Sequence, residues 1–130
     1  MSDWVEEFVT RLETAANGVL TAKIGGVEVA AVISDDLTQF FKKNKPLLRR
    51  VGKEAFRSFL LLLHEKKEEQ AFNLLMAKMD AEDIILRMEM NADALKEFND
   101  LRKEFLESLK KFATTTALSL LSKVLVGLLI

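Results

Sequence analysis

From residue 95 onward, large apolar side chains recur at steps of three or four: Leu95, Phe98, Leu101, Phe105, Leu109 and Phe112. A period of 3.6 residues per turn brings such positions onto one side of an α-helix, whereas a strand would divide them between two faces. A helix with such a seam is stable in water chiefly when the seam is covered, so the pattern calls for helical partners. The rest of the chain supplies them. Trp4, Val5, Phe8, Val9, Leu12, Ala15 and Ala16 make one face of a helix expected over residues 3 to 16. Ser2 or Asp3 can accept hydrogen bonds from its free N–H groups, Glu6 and Glu7 suit its positive end, and Asn17-Gly18 is a natural stop.

Ser34-Asp35-Asp36 marks another helix start, carried to about Lys43. Pro46 fits the first turn of the next helix, where a missing N–H is harmless. Leu48, Val51, Ala55, Phe59 and Leu62 line one side of that helix, and at Phe59-Leu60-Leu61-Leu62-Leu63 it becomes apolar all round, which implies a fully buried end. The charged run from His64 to Glu69 is either a solvated turn of one long helix or a corner between two. Beyond it Ala71, Phe72, Leu75, Met76 and Met79 resume an apolar face. Asp80 can cap a further short helix carrying Ile84, Ile85, Leu86 and Met88, and Asn91 or Asp93 can start the last long one.

Residues 19 to 33 admit two readings. As a β-hairpin, Gly25-Gly26 supplies a two-residue primed turn and the register sets Lys23 opposite Glu28, Ile24 opposite Val27 and Ala22 opposite Val29. As a helix, Gly18, Ala22, Gly26 and Ala30 fall four apart in a small-residue ridge. Glycine and β-branched residues tilt the balance toward the hairpin. The expected fold is all-α or nearly so: one domain over 1–130, a bundle of about five helices with a possible short hairpin at 19–33.

Residues 112 to 130 are expected to form an apolar C-terminal helix with one charge, Lys123. Nineteen helical residues reach about 28 Å, near the thickness of a bilayer core. Yet Thr116, Ser119, Lys123 and Gly127 make a narrow polar stripe beside a broad face of Leu118, Leu121, Val124, Leu125, Leu128 and Leu129. A two-sided helix suits packing on protein better than a solitary crossing of lipid. That face is the candidate self-association or membrane surface.

Charge is balanced overall, 19 basic against 20 acidic side chains, but strongly segregated. Residues 37–57 carry seven basic and one acidic side chain, while 1–36 carry two and seven and 78–100 carry three and seven. Lys42, Lys43, Lys45, Arg49, Arg50, Lys53 and Arg57 therefore form a candidate surface for an anionic partner, whether lipid head groups or, less favoured, nucleic-acid phosphates. The plain alternative is a solvated face, or one paired with the acidic segments.

Catalysis finds little to work with. The chain has no cysteine and one histidine, His64, so thiolate chemistry is excluded and a two-histidine di-iron site cannot be built. Nucleotide-loop, zinc-protease and calcium-loop motifs are all missing from the sequence. Glu82, Asp83 and Glu89 read as a solvated face, and Met76, Met79, Met88 and Met90 as core filler. No catalytic residue, metal, cofactor or small-molecule substrate is expected. Met1-Ser2-Asp3-Trp4 lacks the regions of a secretory signal, so the expected location is cytoplasmic, or peripheral or integral to a membrane. The functional expectation is a non-enzymatic structural or interaction protein forming homo-oligomers through apolar helical faces, in its sharper form membrane-associated or pore-forming. The alternative is a soluble binding module using the basic helix of residues 42–57.

Overall fold

The structure, a computed structural model, describes residues 3–14, 19–24, 26–32, 35–114, 122 and 126, with side chains for 3–14, 26, 35–111, 122 and 126. Among the described residues the fold is nearly all helical. Six helices follow one another among the described residues up to 114: α1 (Trp4–Glu13), α2 (Asp35–Lys43), α3 (Lys45–Val51), α4 (Lys53–His64), α5 (Glu68–Met88) and α6 (Ala92–Thr114). Between α1 and α2, β1 (Val19–Ile24) and β2 (Val27–Val32) pair antiparallel, with Lys23 opposite Glu28, Ile24 opposite Val27 and Ala22 opposite Val29.

Local chemistry accounts for most boundaries. Asp3 caps α1 by accepting from the Val5 N–H at 3.0 Å, and Asn91 caps α6 by accepting from the Ala94 N–H at 3.1 Å. Pro46 sits in the first turn of α3. A single helix from Pro46 to Leu63 does not form, because Gly52 turns to φ 90° and divides it into α3 and α4. A side chain at Gly52 would find open space but a strained backbone, so glycine is there for its conformation. The charged run after α4 is a corner, with Lys66 at φ 63° before α5 begins at Glu68.

The core is organised around phenylalanine. Phe8, Phe41 and Phe56 meet edge to face with centroids 5.4 to 5.8 Å apart, tying α1, α2 and α4 together. Phe59 meets Phe72 at 5.4 Å, joining α4 to α5, and Phe40 stacks on Phe105 at 5.2 Å, joining α2 to α6. Trp4 is half-buried, 6.1 Å from Phe56, and so anchors α1 on this cluster. On α6, Phe98, Phe105 and Leu109 are buried, with Leu95 and Leu106 partly buried against the same core. Ser122 and Val126, both with helical backbone, are buried too, and Val126 belongs to the same cluster.

Two expectations fail in α4 and α5. The α4 end is not buried all round, since Leu61 is 41% exposed: Phe59, Leu60 and Leu63 cover the side toward the core and one helical turn has another side. Asp80 does not start a separate helix. No glycine or proline interrupts residues 68–88, and the Asp80 carboxylate is engaged by Arg102 of α6, so α5 runs unbroken for 21 residues.

Candidate functional site

Five of the seven basic side chains of residues 42–57 are placed against acids of the same chain. Arg49 donates from Nε to Asp3 at 2.8 Å and from Nη2 to Glu6 at 3.0 Å, and Lys45 donates to both oxygens of Glu6 at 3.0 and 3.1 Å. Lys42 pairs with Glu13 at 3.3 Å, Lys43 with Glu104, and Arg50 with Glu82 at 3.9 Å. The acidic face of α1 is thus laid along the basic face of α2 and α3. The hydrogen bond from Arg49 holds the Asp3 carboxyl below the ordinary aspartate range, and the same bond raises the guanidinium pKa. Most of these side chains are solvent-exposed, so their pairs add little stability each, but together they occupy five of the seven candidate anion-binding residues. Lys53, exposed, and Arg57, half-buried, form no ion pair among the described residues.

The α5 helix presents an unexpected surface. Its buried side is formed by Ala71, Phe72, Leu75, Met79 and Leu86. Glu82 and Asp83, expected to face water, flank that side with side chains only 15% and 19% exposed. Glu82 reaches Arg50 of α3, while Asp83 accepts from Asn99 of α6 at 3.3 Å and from Arg87 at 2.9 Å. The Arg87 hydrogen bond is the main cause of a lowered Asp83 pKa. With these carboxylates turned inward, a helix of 3.6 residues per turn must carry its intervening apolar residues outward. Leu86 is 1% exposed, but Ile84 is 57%, Ile85 45% and Met88 78% exposed, followed by Met90 at 90%.

Ala77 and Ala81 are exposed as well and precede Ile84 and Met88 at steps of four and three, so an apolar stripe runs along the outer side of α5. Met76, expected in the core, is 40% exposed at its margin. Of the apolar residues expected on a helix after Asp80, only Leu86 is buried, while Ile84, Ile85 and Met88 face outward, the buried side of α5 being formed by Ala71, Phe72, Leu75, Met79 and Leu86. The methionines divide in the same way: Met79 is buried, while Met76, Met88 and Met90 are not. Composition held the signal, since α5 has apolar residues on two opposite sides, but only the packing says which side is covered.

The other candidates stay separate. Leu118, Leu121, Val124, Leu125, Leu128 and Leu129 lie outside the described residues, as do Ala15, Ala16 and Lys123. His64 is exposed at the end of α4, and among the described residues no group of three His, Asp or Glu side chains could hold a metal ion. A cleft of about 200 Å³ between α3 and α6 is lined by Pro46, Leu47, Arg50, Ala94, Phe98 and neighbours, without a nucleophile beside a base. Among the described residues no helix is long and apolar enough to cross a membrane. No family model, curated protein or solved structure matches the chain.

Proposed function

We propose that the chain is a non-enzymatic interaction protein that self-associates through apolar helical faces. One observation carries this reading: the outer stripe of α5, where Ile84, Ile85 and Met88 are between 45% and 78% exposed on a helix whose opposite side is fully packed. Scattered apolar residues on a surface are ordinary, but a continuous helical stripe of them marks a place of contact. Water gains nothing from wetting it, and covering it would release that unfavourable hydration without disturbing the core.

The C-terminal face of Leu118, Leu121, Val124, Leu125, Leu128 and Leu129 belongs to the same proposal as a second apolar surface. The basic face is the weaker competitor for a binding role, since most of its charges already have partners. Sedimentation velocity on the full chain in detergent-free buffer tests the reading. The expected outcome is a concentration-dependent mass that climbs above the 14.7 kDa of one chain over the micromolar range. A strictly monomeric species at every concentration would overturn it.

A further inference from the structure

We propose that two copies of the chain pair antiparallel along α5, burying the stripe Ala77, Ala81, Ile84 and Met88 about a two-fold axis that passes between residues 83 and 84. The proposal rests on the self-association reading and specifies its face, orientation and partner. Three observations point to a second copy. The stripe is straight, with steps of four, three and four that keep all four residues on one side of the helix. It is bordered by charges of both signs, Lys78 and Glu89 along one edge, Asp80 and Arg87 along the other. Their side chains are within reach of a partner: Lys78 is 41%, Asp80 63% and Arg87 64% exposed, and Glu89 is exposed with no ion pair among the described residues.

A two-fold axis perpendicular to the helices brings like edges together. With the axis between residues 83 and 84, Lys78 of one copy comes level with the other copy's Glu89, and Asp80 with its Arg87, because each pair of numbers has the same midpoint. Both edges are then complementary at once. Asp80 and Arg87 keep their present intrachain partners within range, since Asp80 has a second oxygen and Arg87 further donors, and Lys78 has donors beyond its contact with Glu82.

Charge alone also permits a parallel pair, and side-chain size decides between the two. The stripe is small at one end, Ala77 and Ala81, and large at the other, Ile84 and Met88. Antiparallel docking sets alanine against methionine and keeps the helix axes evenly spaced, whereas parallel docking would set methionine on methionine and alanine on alanine, forcing the axes to splay. Antiparallel helix dipoles favour the same choice. The seam from residue 77 to 90 is about 20 Å long and one helix, about 10 Å, wide, so it covers far less than the roughly 800 Å² per partner of a standard interface, and weak association in the micromolar range is expected.

The absence of native cysteine makes disulfide trapping a clean test. In the antiparallel pair the two Ile84 positions are offset by only about 1.5 Å along the axis, and the two Met88 positions by about 13 Å. Ile84→Cys should therefore yield about tenfold more oxidised dimer than Met88→Cys, since a disulfide needs Cβ atoms about 4 Å apart. A mixture of Ala81→Cys and Met88→Cys chains should link to each other more readily than either links to itself. All three sites are exposed, so far-UV circular dichroism should match the parent chain. Equal self-linking at residues 81, 84 and 88 would mean a parallel pair and overturn the proposal. Absent linkage in a chain that sediments as an oligomer would overturn this face while leaving self-association standing; absent linkage in a monomer would overturn both.

Discussion

The basic face of α2 and α3 and the apolar stripe of α5 are both surpluses that a 130-residue chain must accommodate, and the fold treats them oppositely. Five cations of the first surface find carboxylates on α1, α5 and α6, because opposite charge attracts over distance and long side chains adjust to meet. The second surface stays open. Apolar contact is short-ranged and needs area, and the side of α5 that faces α3, α4 and α6 already carries its full complement in Phe72, Leu75, Met79 and Leu86. A charge surplus can thus be satisfied by a few flexible pairs, whereas an apolar surplus must wait for another surface.

The comparison breaks most severely if the two sides of α5 are confused. Leu86→Asp places an unpaired carboxylate in a buried site and should cost more than about 4 kcal/mol, leaving little folded protein in a urea titration. Ile84→Asp, two residues away and outward, should change stability by less than about 0.5 kcal/mol, yet lower the sedimenting mass toward that of one chain. Equal destabilisation by the two would mean the stripe is packed within the monomer.

Next in size is the aromatic cluster, which lies beneath both surfaces. Phe56 touches Trp4, Phe8, Phe41 and Phe59, so Phe56→Ala should cost about 3–5 kcal/mol in a urea unfolding titration. Because α1 rests on this cluster, proteolysis near the start of the chain should accelerate in the same variant.

The smallest effect sharpens the other surface. Asp3 and Asp83 have lowered pKa values in the fold, caused first by Arg49 and Arg87, so their contribution is fully present above the unfolded aspartate value and is lost as pH falls through the lowered ones. Urea midpoints should therefore be insensitive to these groups at neutral pH and fall in acid, below about pH 4. Asp3→Asn should flatten that acid limb slightly, and in about 1 M salt its effect should largely vanish, as screening of an exposed pair requires.

Much of the helical layout was legible from residues alone. The steps of three and four through α1 and α6 name Val5, Phe8, Val9, Leu12, Phe98, Phe105 and Leu109, all of which are buried. The same rhythm misled in α5, where apolar residues lie on two sides and periodicity cannot say which is inner. Gly52 was silent for a related reason, since one glycine within an amphipathic pattern is tolerated by a helix as readily as it ends one. The basic run of residues 42–57 was visible as a charge surplus, but its pairing depended on α1 folding back along α2 and α3.

What the chain determines by itself is therefore periodicity, caps and charge blocks: properties that depend on neighbours three or four residues apart and survive any arrangement of the helices. What only the tertiary structure decides is the rotation of each helix about its axis. Burial of Phe72, Leu75, Met79 and Leu86 against the core leaves Ile84 and Met88 outside, and in that rotation Asp83 meets Asn99 of α6, Asp80 meets Arg102 and Glu82 lies near Arg50. Those contacts join residues 16 to 32 positions apart, a distance at which helical spacing carries no information.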